Sequence, residues 1–404
     1  MTASPRALII GGSLGGLSTA IALRRIGWDV EVFERSASEL KDRGAGLVMQ
    51  PELLDFLKSQ ALPHQETISV LSEARQFLDR EGHVLRVEPR AQFMTSWNTL
   101  YRQFLHALPS EHYHLDRQLV DFKQDAHGVS ARFTNGSVAQ ADLLIGADGT
   151  NSTCRSQLLP DQRPRYVGYI AWRGVVREAA VSASVRNIFA DKFTFFQMPS
   201  SHILCCLVPG PDGATETGSR YLNWVWYWNV PEGEKLQELL TDHTGSARDY
   251  LVPPGMVQEK LVQDQWDIAA DLFPAVAQQL VFATQEPFLQ PVYEFATQHM
   301  VFDRVCLLGD AAFLPRPHAA ASTAQAVANA ADLATALHAS PDNWTAALSS
   351  WETTQIQLGV SLQQLGTSLG NQSQFGTWQG QQLTFGDTLQ TLRSPGRPQG
   401  TSTH

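Results

Sequence analysis

Residues 6–34 read RALIIGGSLGGLSTAIALRRIGWDVEVFE, and the order of residue types in this stretch sets the fold. Arg6 to Ile10 is a short apolar run that predicts a buried strand. A glycine-rich loop follows. Leu17, Ile21 and Leu23 then recur at helical spacing, which predicts a helix from about Leu14 to a C-terminal cap at Gly27. A second strand is predicted over Asp29–Glu34. Strand, loop, helix, strand is the opening unit of a parallel sheet. The loop departs by one letter from the G-x-G-x-x-G fingerprint: Gly11 and Gly16 hold the first and third positions, and Ser13 holds the second. Gly11 permits the tight turn out of the strand, and Gly16 lets the helix sit close on the sheet. Leu14, Gly15 and Gly16 open the helix, whose free N–H groups and partial positive charge suit a pyrophosphate. The Ser13 hydroxyl can donate to a phosphate oxygen. Glu34, followed by Arg35, ends the second strand about twenty residues on, where an acid hydrogen-bonds a ribose hydroxyl. The unit predicts a dinucleotide site without distinguishing NAD from FAD.

The bulk numbers set the class. A chain of 404 residues is long for one domain, and 43% hydrophobic content supports a substantial core. No apolar run reaches the roughly 18 to 20 residues of a membrane span, and no signal-peptide pattern opens the chain. A net charge of −10 argues against a nucleic-acid footprint. Cys154, Cys205, Cys206 and Cys306 have no metal-type spacing, so no metal site is expected; they read as reduced core thiols of a cytoplasmic protein.

Further along, VSARFTNGSVAQADLLIGADG (129–149) predicts a hairpin, with a two-residue type I′ turn at Asn135-Gly136, returning into a buried strand that ends at Gly146. Residues 165–300 change character to alternating strands. In LNWVWYWNV (222–230) the period of two puts Trp224, Trp226 and Trp228 on one face, which must cover either helices or a ligand pocket. Residues 233–285 are expected to be helical. VFDRVCLLGD (301–310) reads as a strand and TAQAVANAADLATALH (323–338) as a helix with Ser322 as its N-cap. The fold class is therefore α/β: a Rossmann-like nucleotide domain interleaved with a mixed-sheet substrate domain and followed by C-terminal helices. The expected division is 1–165 with 296–340 for the nucleotide domain (part of the second domain entering around 70–100) and 166–295 for the second domain. A helical segment at 341–390 and a disordered Pro/Gly/Ser-rich tail at 391–404 complete it.

Two later stretches choose the cofactor. DLLIGADGTNSTCR (142–155) runs a strand into Asp148-Gly149, with Ser152 and Arg155 after it; LLGDAAFLPRP (307–317) places Gly309-Asp310 at a strand end, with Asp332 inside the next helix. Together with the first loop these resemble the three ordered signatures of the flavoprotein aromatic monooxygenases with the para-hydroxybenzoate hydroxylase fold. YVGYIAWRGVV (166–176), LNWVWYWNV and GDAAFLPRPHAAA (309–321) are similar to the dihydroxypyridine-hydroxylating branch of that family, over nearly the whole chain except the tail.

The resemblance implies non-covalent FAD, with NAD(P)H as a transient co-substrate, since no second glycine fingerprint is present. It implies O2 and a small, electron-rich hydroxylated aromatic or N-heteroaromatic ring as substrates. It carries FAD contacts onto Gly11, Ser13, Leu14, Gly15, Gly16, Glu34, Arg35, Asp148, Gly149, Gly309, Asp310 and Pro317, and onto Ser322, Thr323 and Ala324 at a helix start. Arg43 and Gly46 match the flavin-approach loop. In TSWNTLYRQ (95–103) Trp97 stands where the family has an arginine, and Arg102 is the expected substitute. His318 is the candidate base or substrate hydrogen-bonding group, because imidazole titrates in the useful range; it could equally tie down its own loop. Arg173 either anchors an anionic group of the substrate or forms a salt bridge within the sheet. Tyr169 and Trp172 are either pocket walls or core. A flavin-dependent reductase and a non-catalytic flavin protein remain alternatives at this point, and a homodimer is a further expectation.

Overall fold

The computed structural model describes residues 4–40 and 45–376. Arg43 and residues 377–404 lie outside them. Two sheets organise the chain. The first has six strands in the order Val301–Phe302, Val305–Leu307, Leu143–Gly146, Arg6–Ile10, Asp29–Phe33, Tyr113–His114. Its pairs are parallel except the first, which is a hairpin. Ala7, Leu8 and Ile9 are fully buried, as a central strand covered on both faces requires. The helices Leu14–Arg25 and Ser322–Ala339 pack together over this sheet.

The second sheet has nine strands. Its long central members are Arg165–Arg177, Tyr221–Asn229, Ser201–Val208 and Lys192–Met198, extended on one side by Val70–Leu78, Val84–Ser96 and Gly46–Val48 and on the other by Phe288–Ala296 and Phe313–Leu314. Alternation decides what each face does. Ile170, Trp172, Trp224 and Trp226 are buried against the helices Glu259–Leu272 and Ala275–Phe282. Trp224 Nε1 donates to Thr284 at 2.8 Å and Trp226 Nε1 to Ser201 at 2.9 Å, which satisfies both indoles inside that core. The tryptophan face therefore covers helices. The intervening residues, Arg173, Asn223, Val225 and Tyr227, look the other way, toward the nucleotide domain. A third, three-stranded sheet (Leu119–Gln124, Val129–Phe133, Val138–Ala141) sits beside the first.

Four local expectations are corrected. The 134–136 turn is a three-residue loop closed by Phe133 N–H to Ser137 O at 3.0 Å; only Gly136 has positive φ (83°), whereas a type I′ turn needs it at Asn135 too. Residues 301–310 form a two-stranded hairpin turning at Asp303, an aspartate in the left-handed region (φ 53°). Residues 233–285 contain three helices, Glu234–Leu239, Glu259–Leu272 and Ala275–Phe282. Between the first two, Asp242 accepts from the backbone N–H groups of Thr244 and Ser246 and pairs with Arg248; local side-chain bonding of this kind competes with the helix. Finally, Ser322 is the first helical residue, and Ala321 occupies the cap position with no side-chain bond.

Candidate functional site

Where the two sheets face each other the structure encloses a cavity of about 450 Å³. One end is built by the first glycine loop. Gly16 is fixed by close approach: a Cβ there would lie 1.8 Å from Gly11 O. Gly11 has φ 106°, and its N–H donates to Phe33 O at 2.9 Å, clamping the loop to the second strand. Ser13 occupies the N-cap position of the first helix but makes no side-chain cap bond, so its hydroxyl is left for another partner. Ser13, Leu14 and Gly15 line the cavity. Glu34 is buried, accepting from Gly12 N–H at 2.8 Å and Ser36 N–H at 2.9 Å. Arg35 is exposed.

The middle of the cavity is lined by Gly149, Gly309, Asp310, Pro317, Ser322 and Thr323 on one side and by Gly46 and Trp97 on the other. Burial pushes the Asp310 carboxyl up to about 6. A buried chain holds its turn in place. Asn329 Oδ1 accepts from Gly309 N–H at 3.0 Å, Asn329 Nδ2 donates to Gln355 Oε1 at 2.7 Å, and Gln355 Nε2 donates to Asp332 Oδ2 at 2.9 Å. Asp332 thus braces the site from behind, through a glutamine of the C-terminal helix Trp344–Phe375. Asp148 does not reach the cavity lining; it accepts from Ser152 Oγ and Cys154 N–H and organises its own turn. Arg155 is buried and donates to the Ala311 carbonyl at 3.2 Å, tying the 148–155 turn to the Asp310 turn. Gly46 N–H donates to Asn223 Oδ1 at 2.9 Å, which ties the edge strand Gly46–Val48 to the centre of the large sheet. Arg102 is paired with Asp212 at 2.8 Å and lies off the cavity, whereas Trp97 lines it, stacked on Tyr101 with ring centroids 4.8 Å apart. Ala324 is buried behind the helix start.

The far end of the cavity rests on the large sheet. Arg173 lines it, half-buried; its Nε is buried with no hydrogen-bond partner, and the guanidinium forms no ion pair among the described residues. Burial lowers its pKa, and the phenol of Tyr227 acts in the opposite direction. Tyr227, raised by burial, stays a protonated donor. Phe193, Leu204 and Val225 supply apolar wall. Tyr227 and Asn223 were legible as the alternate residues of the tryptophan strand, but the indoles dominate that reading. Trp172 is core, fully buried on the helix side. Tyr169 is buried, and its hydroxyl is 3.0 Å from His318 Nε2. His318 therefore stands behind the main cavity wall. It lines a smaller chamber of about 60 Å³, with its ring 4.5 Å from that of Tyr227. Burial, with His202 and Arg316 nearby, pushes its pKa well below 6.5, so its imidazole is neutral. Its loop is held by Arg316, which donates to Glu294 at 2.7 Å and to Asn371 at 2.8 Å.

The donor set fits FAD: two helix N-termini without acidic residues in their first turns open on one cavity, with a free serine hydroxyl at one and the cavity-lining Asp310 carboxyl between them. Comparison with known proteins agrees. The chain is 37% identical over 355 residues, 88% of each chain, to 2,6-dihydroxypyridine 3-monooxygenase of Paenarthrobacter nicotinovorans. This chain is a member of the FAD-dependent aromatic monooxygenases. Residues 166–294 of the monooxygenase match a family described as FAD binding domain-like. It is 27% identical to 6-hydroxynicotinate 3-monooxygenase of Bordetella bronchiseptica, with 82% of each chain covered. Its fold matches the structure of 2,6-dihydroxypyridine-3-hydroxylase from Arthrobacter nicotinovorans with a TM-score of 0.88 at 35% identity, covering 93% of this chain and 95% of that one. HpxO of Klebsiella pneumoniae, solved with FAD and uric acid, shares the fold (TM-score 0.75, 21% identity, 92% and 90% covered). The monooxygenase uses FAD, with NAD(P)H as reductant and O2 as co-substrate. No helix among the described residues is long and apolar enough to cross a membrane.

Proposed function

We propose that this monooxygenase hydroxylates an electron-rich N-heteroaromatic ring that already carries a hydroxyl group, a hydroxypyridine being the reference case. Arg173 carries the reading. A guanidinium left without an acid partner in the wall of a catalytic cavity is costly to keep there, and an oxyanion on the substrate supplies the missing charge. Such a ring must be deprotonated to be a good nucleophile, and a cation beside the oxygen favours that form.

Bound FAD supplies the hydride acceptor for NAD(P)H and the site of O2 activation. Ser13, Gly15 and the amides of the first helix would hold its diphosphate, and Glu34 its ribose. Gly309 and Asp310 would meet the ribityl chain, Gly46 and Pro317 would flank the ring system, and the Ser322, Thr323 and Ala324 amides would face its electron-rich edge. At the far end Arg173 holds the substrate oxyanion and Tyr227 donates to it. Phe193, Leu204 and Val225 exclude water, which otherwise diverts reduced oxygen into hydrogen peroxide. His318, on the side-chamber wall with its ring 4.5 Å from that of Tyr227, is the candidate for receiving the substrate proton; burial disfavours its charged form, so on this reading the proton is passed onward rather than kept. FAD is held non-covalently on this reading, and the enzyme works as a soluble cytoplasmic protein. The test is NAD(P)H oxidation by the holoenzyme with hydroxypyridines and phenols, with oxygen uptake and product mass recorded. Hydroxypyridine-stimulated turnover giving a product heavier by one oxygen supports the assignment; stimulation by phenols alone, or none, defeats it.

A further inference from the structure

The first glycine loop carries a glycine that the fingerprint does not ask for. Gly12 lies between the first two fingerprint positions, and it is buried. A Cβ there would lie 2.3 Å from Tyr113 Oη and 2.8 Å from Glu34 Cβ, so the loop rests directly on these two side chains. Glu34 Oε2 accepts from Gly12 N–H at 2.8 Å, and Tyr113 Oη donates to the Gly12 carbonyl at 3.0 Å. Both backbone polar groups of Gly12 are therefore held. A trans peptide points its C=O and the following N–H in opposite directions. The Gly12 carbonyl, turned back onto Tyr113, thus turns the Ser13 N–H away from Tyr113 and toward the cavity that Ser13 lines. That amide stands at the N-terminus of the helix Leu14–Arg25, where the FAD diphosphate would be held.

The row of hydrogen bonds continues behind Tyr113. A phenol has one hydrogen to give, and Tyr113 gives it to Gly12. At 3.2 Å it must then accept from the Tyr101 hydroxyl, which itself accepts from Leu40 N–H at 3.1 Å. Each hydroxyl accepts once and donates once, so the row has a single polarity running from Leu40 to Gly12. Burial, with the Tyr101 hydroxyl beside it, pushes the Tyr113 phenol up, which keeps it a protonated donor. Tyr101 is fully buried on the helix Trp97–Ala107, one turn after Trp97, and the two rings are stacked. The tyrosine pair therefore connects two parts of the cavity wall, Trp97 at one end and the Ser13 amide at the other, while Tyr113 itself does not line the cavity.

We propose that Tyr113 is a positioning residue for the cofactor, with Tyr101 directing its hydrogen: the pair fixes the Gly12–Ser13 peptide so that the Ser13 amide meets the FAD diphosphate. The loop then has its binding geometry before FAD arrives, and the cost of ordering it falls on folding and not on binding.

The test is the FAD Kd, read from the flavin fluorescence released when the holoenzyme is diluted, beside thermal melting and the ³¹P spectrum of the bound FAD. Tyr113→Phe removes one oxygen and keeps the ring. It is expected to raise the FAD Kd about tenfold, and Tyr101→Phe about threefold. The double variant should stay near the tenfold of Tyr113→Phe and not reach the product of about thirtyfold, because Tyr101 acts through Tyr113. The diphosphate phosphorus resonances should shift in Tyr113→Phe while the absorbance spectrum of the bound flavin does not, since the ring lies at the other end of the cofactor. A lower Tm with an unchanged FAD Kd would make the pair structural only and overturn the proposal. So would a double variant at the product of the two single effects, or unshifted phosphorus resonances beside an altered flavin spectrum. If Tyr113→Phe does not fold, Tyr101→Phe decides alone: a Kd raised about threefold with shifted phosphorus resonances supports the role, and an unchanged Kd overturns it.

Discussion

Replacing Arg173 with methionine separates an anchoring role from a structural one, because the two predict opposite signs. The side chain is half-buried, its Nε has no hydrogen-bond partner, and no carboxylate among the described residues is paired with it. In the empty protein this desolvated charge is a cost, so removing it should leave stability unchanged or raise it by about 1 kcal/mol. With an unfolding entropy of about 2.1 cal/mol/K per residue over 404 residues, each kcal/mol moves Tm by about 1 °C. The ligand-bound enzyme should lose a charge-assisted hydrogen bond of about 1.5–3 kcal/mol, which raises the substrate Kd by about 10- to 150-fold. The assay is a pair of measurements on one preparation: thermal melting of the FAD-loaded protein, and titration of the flavin absorbance with 2-hydroxypyridine and 2,6-dihydroxypyridine. FAD occupancy should not change. A Tm lower by several degrees with unaltered Kd would show that Arg173 is a structural cation and would remove the main support for an anionic substrate.

Asp310→Ala should lower FAD occupancy more than Asp332→Ala, since Asp310 lines the cavity while Asp332 acts through Gln355 and Asn329; equal flavin content in two folded variants contradicts this. His318→Gln should keep FAD and its reduction by NAD(P)H but shift output from hydroxylated product to hydrogen peroxide, with partial recovery at high pH where the substrate ionises unaided; base losses of about 10² to 10⁴ in rate are large enough for the diversion to win, and full coupling at neutral pH ends the base role. His202, lowered to about 3 by burial, is neutral in the folded protein and protonates on unfolding. Its contribution is present above pH 6.5 and lost as pH falls toward 3, at about 1.4 kcal/mol per pH unit, so His202→Phe should show a stability–pH slope shallower by one proton between pH 6 and 4; parallel curves refute it.

The nucleotide half was legible because its signals are local. Strand, loop and helix follow one another within 29 residues (6–34), and Gly16 has its own steric reason. The far end was less so, because it is assembled by pairing across strands distant in sequence. Arg75 faces Phe193 across a parallel pair, and Arg173 faces Val225 across an antiparallel one. No spacing in the chain announces either contact. Period-two reading found the face with three tryptophans, but the cavity-lining residues are those between them, since the indoles pack against helices and Asn223, Val225 and Tyr227 face the cavity. His318 was singled out by its loop, yet its orientation depends on Tyr169 and on an arginine held by Glu294 and Asn371, partners 149, 22 and 55 residues away in sequence.

The central claim is that a hydroxylated N-heteroaromatic ring is oxygenated at this site. The direct measurement is hydroxylated product formed per NAD(P)H consumed, with the FAD-loaded enzyme in the presence of ¹⁸O₂ and 2,6-dihydroxypyridine or 6-hydroxynicotinate. The account predicts substrate-stimulated NAD(P)H oxidation, one labelled oxygen in the product, and a ratio close to one. NAD(P)H oxidation that no hydroxypyridine stimulates, or that yields only hydrogen peroxide from every ring supplied, would contradict it.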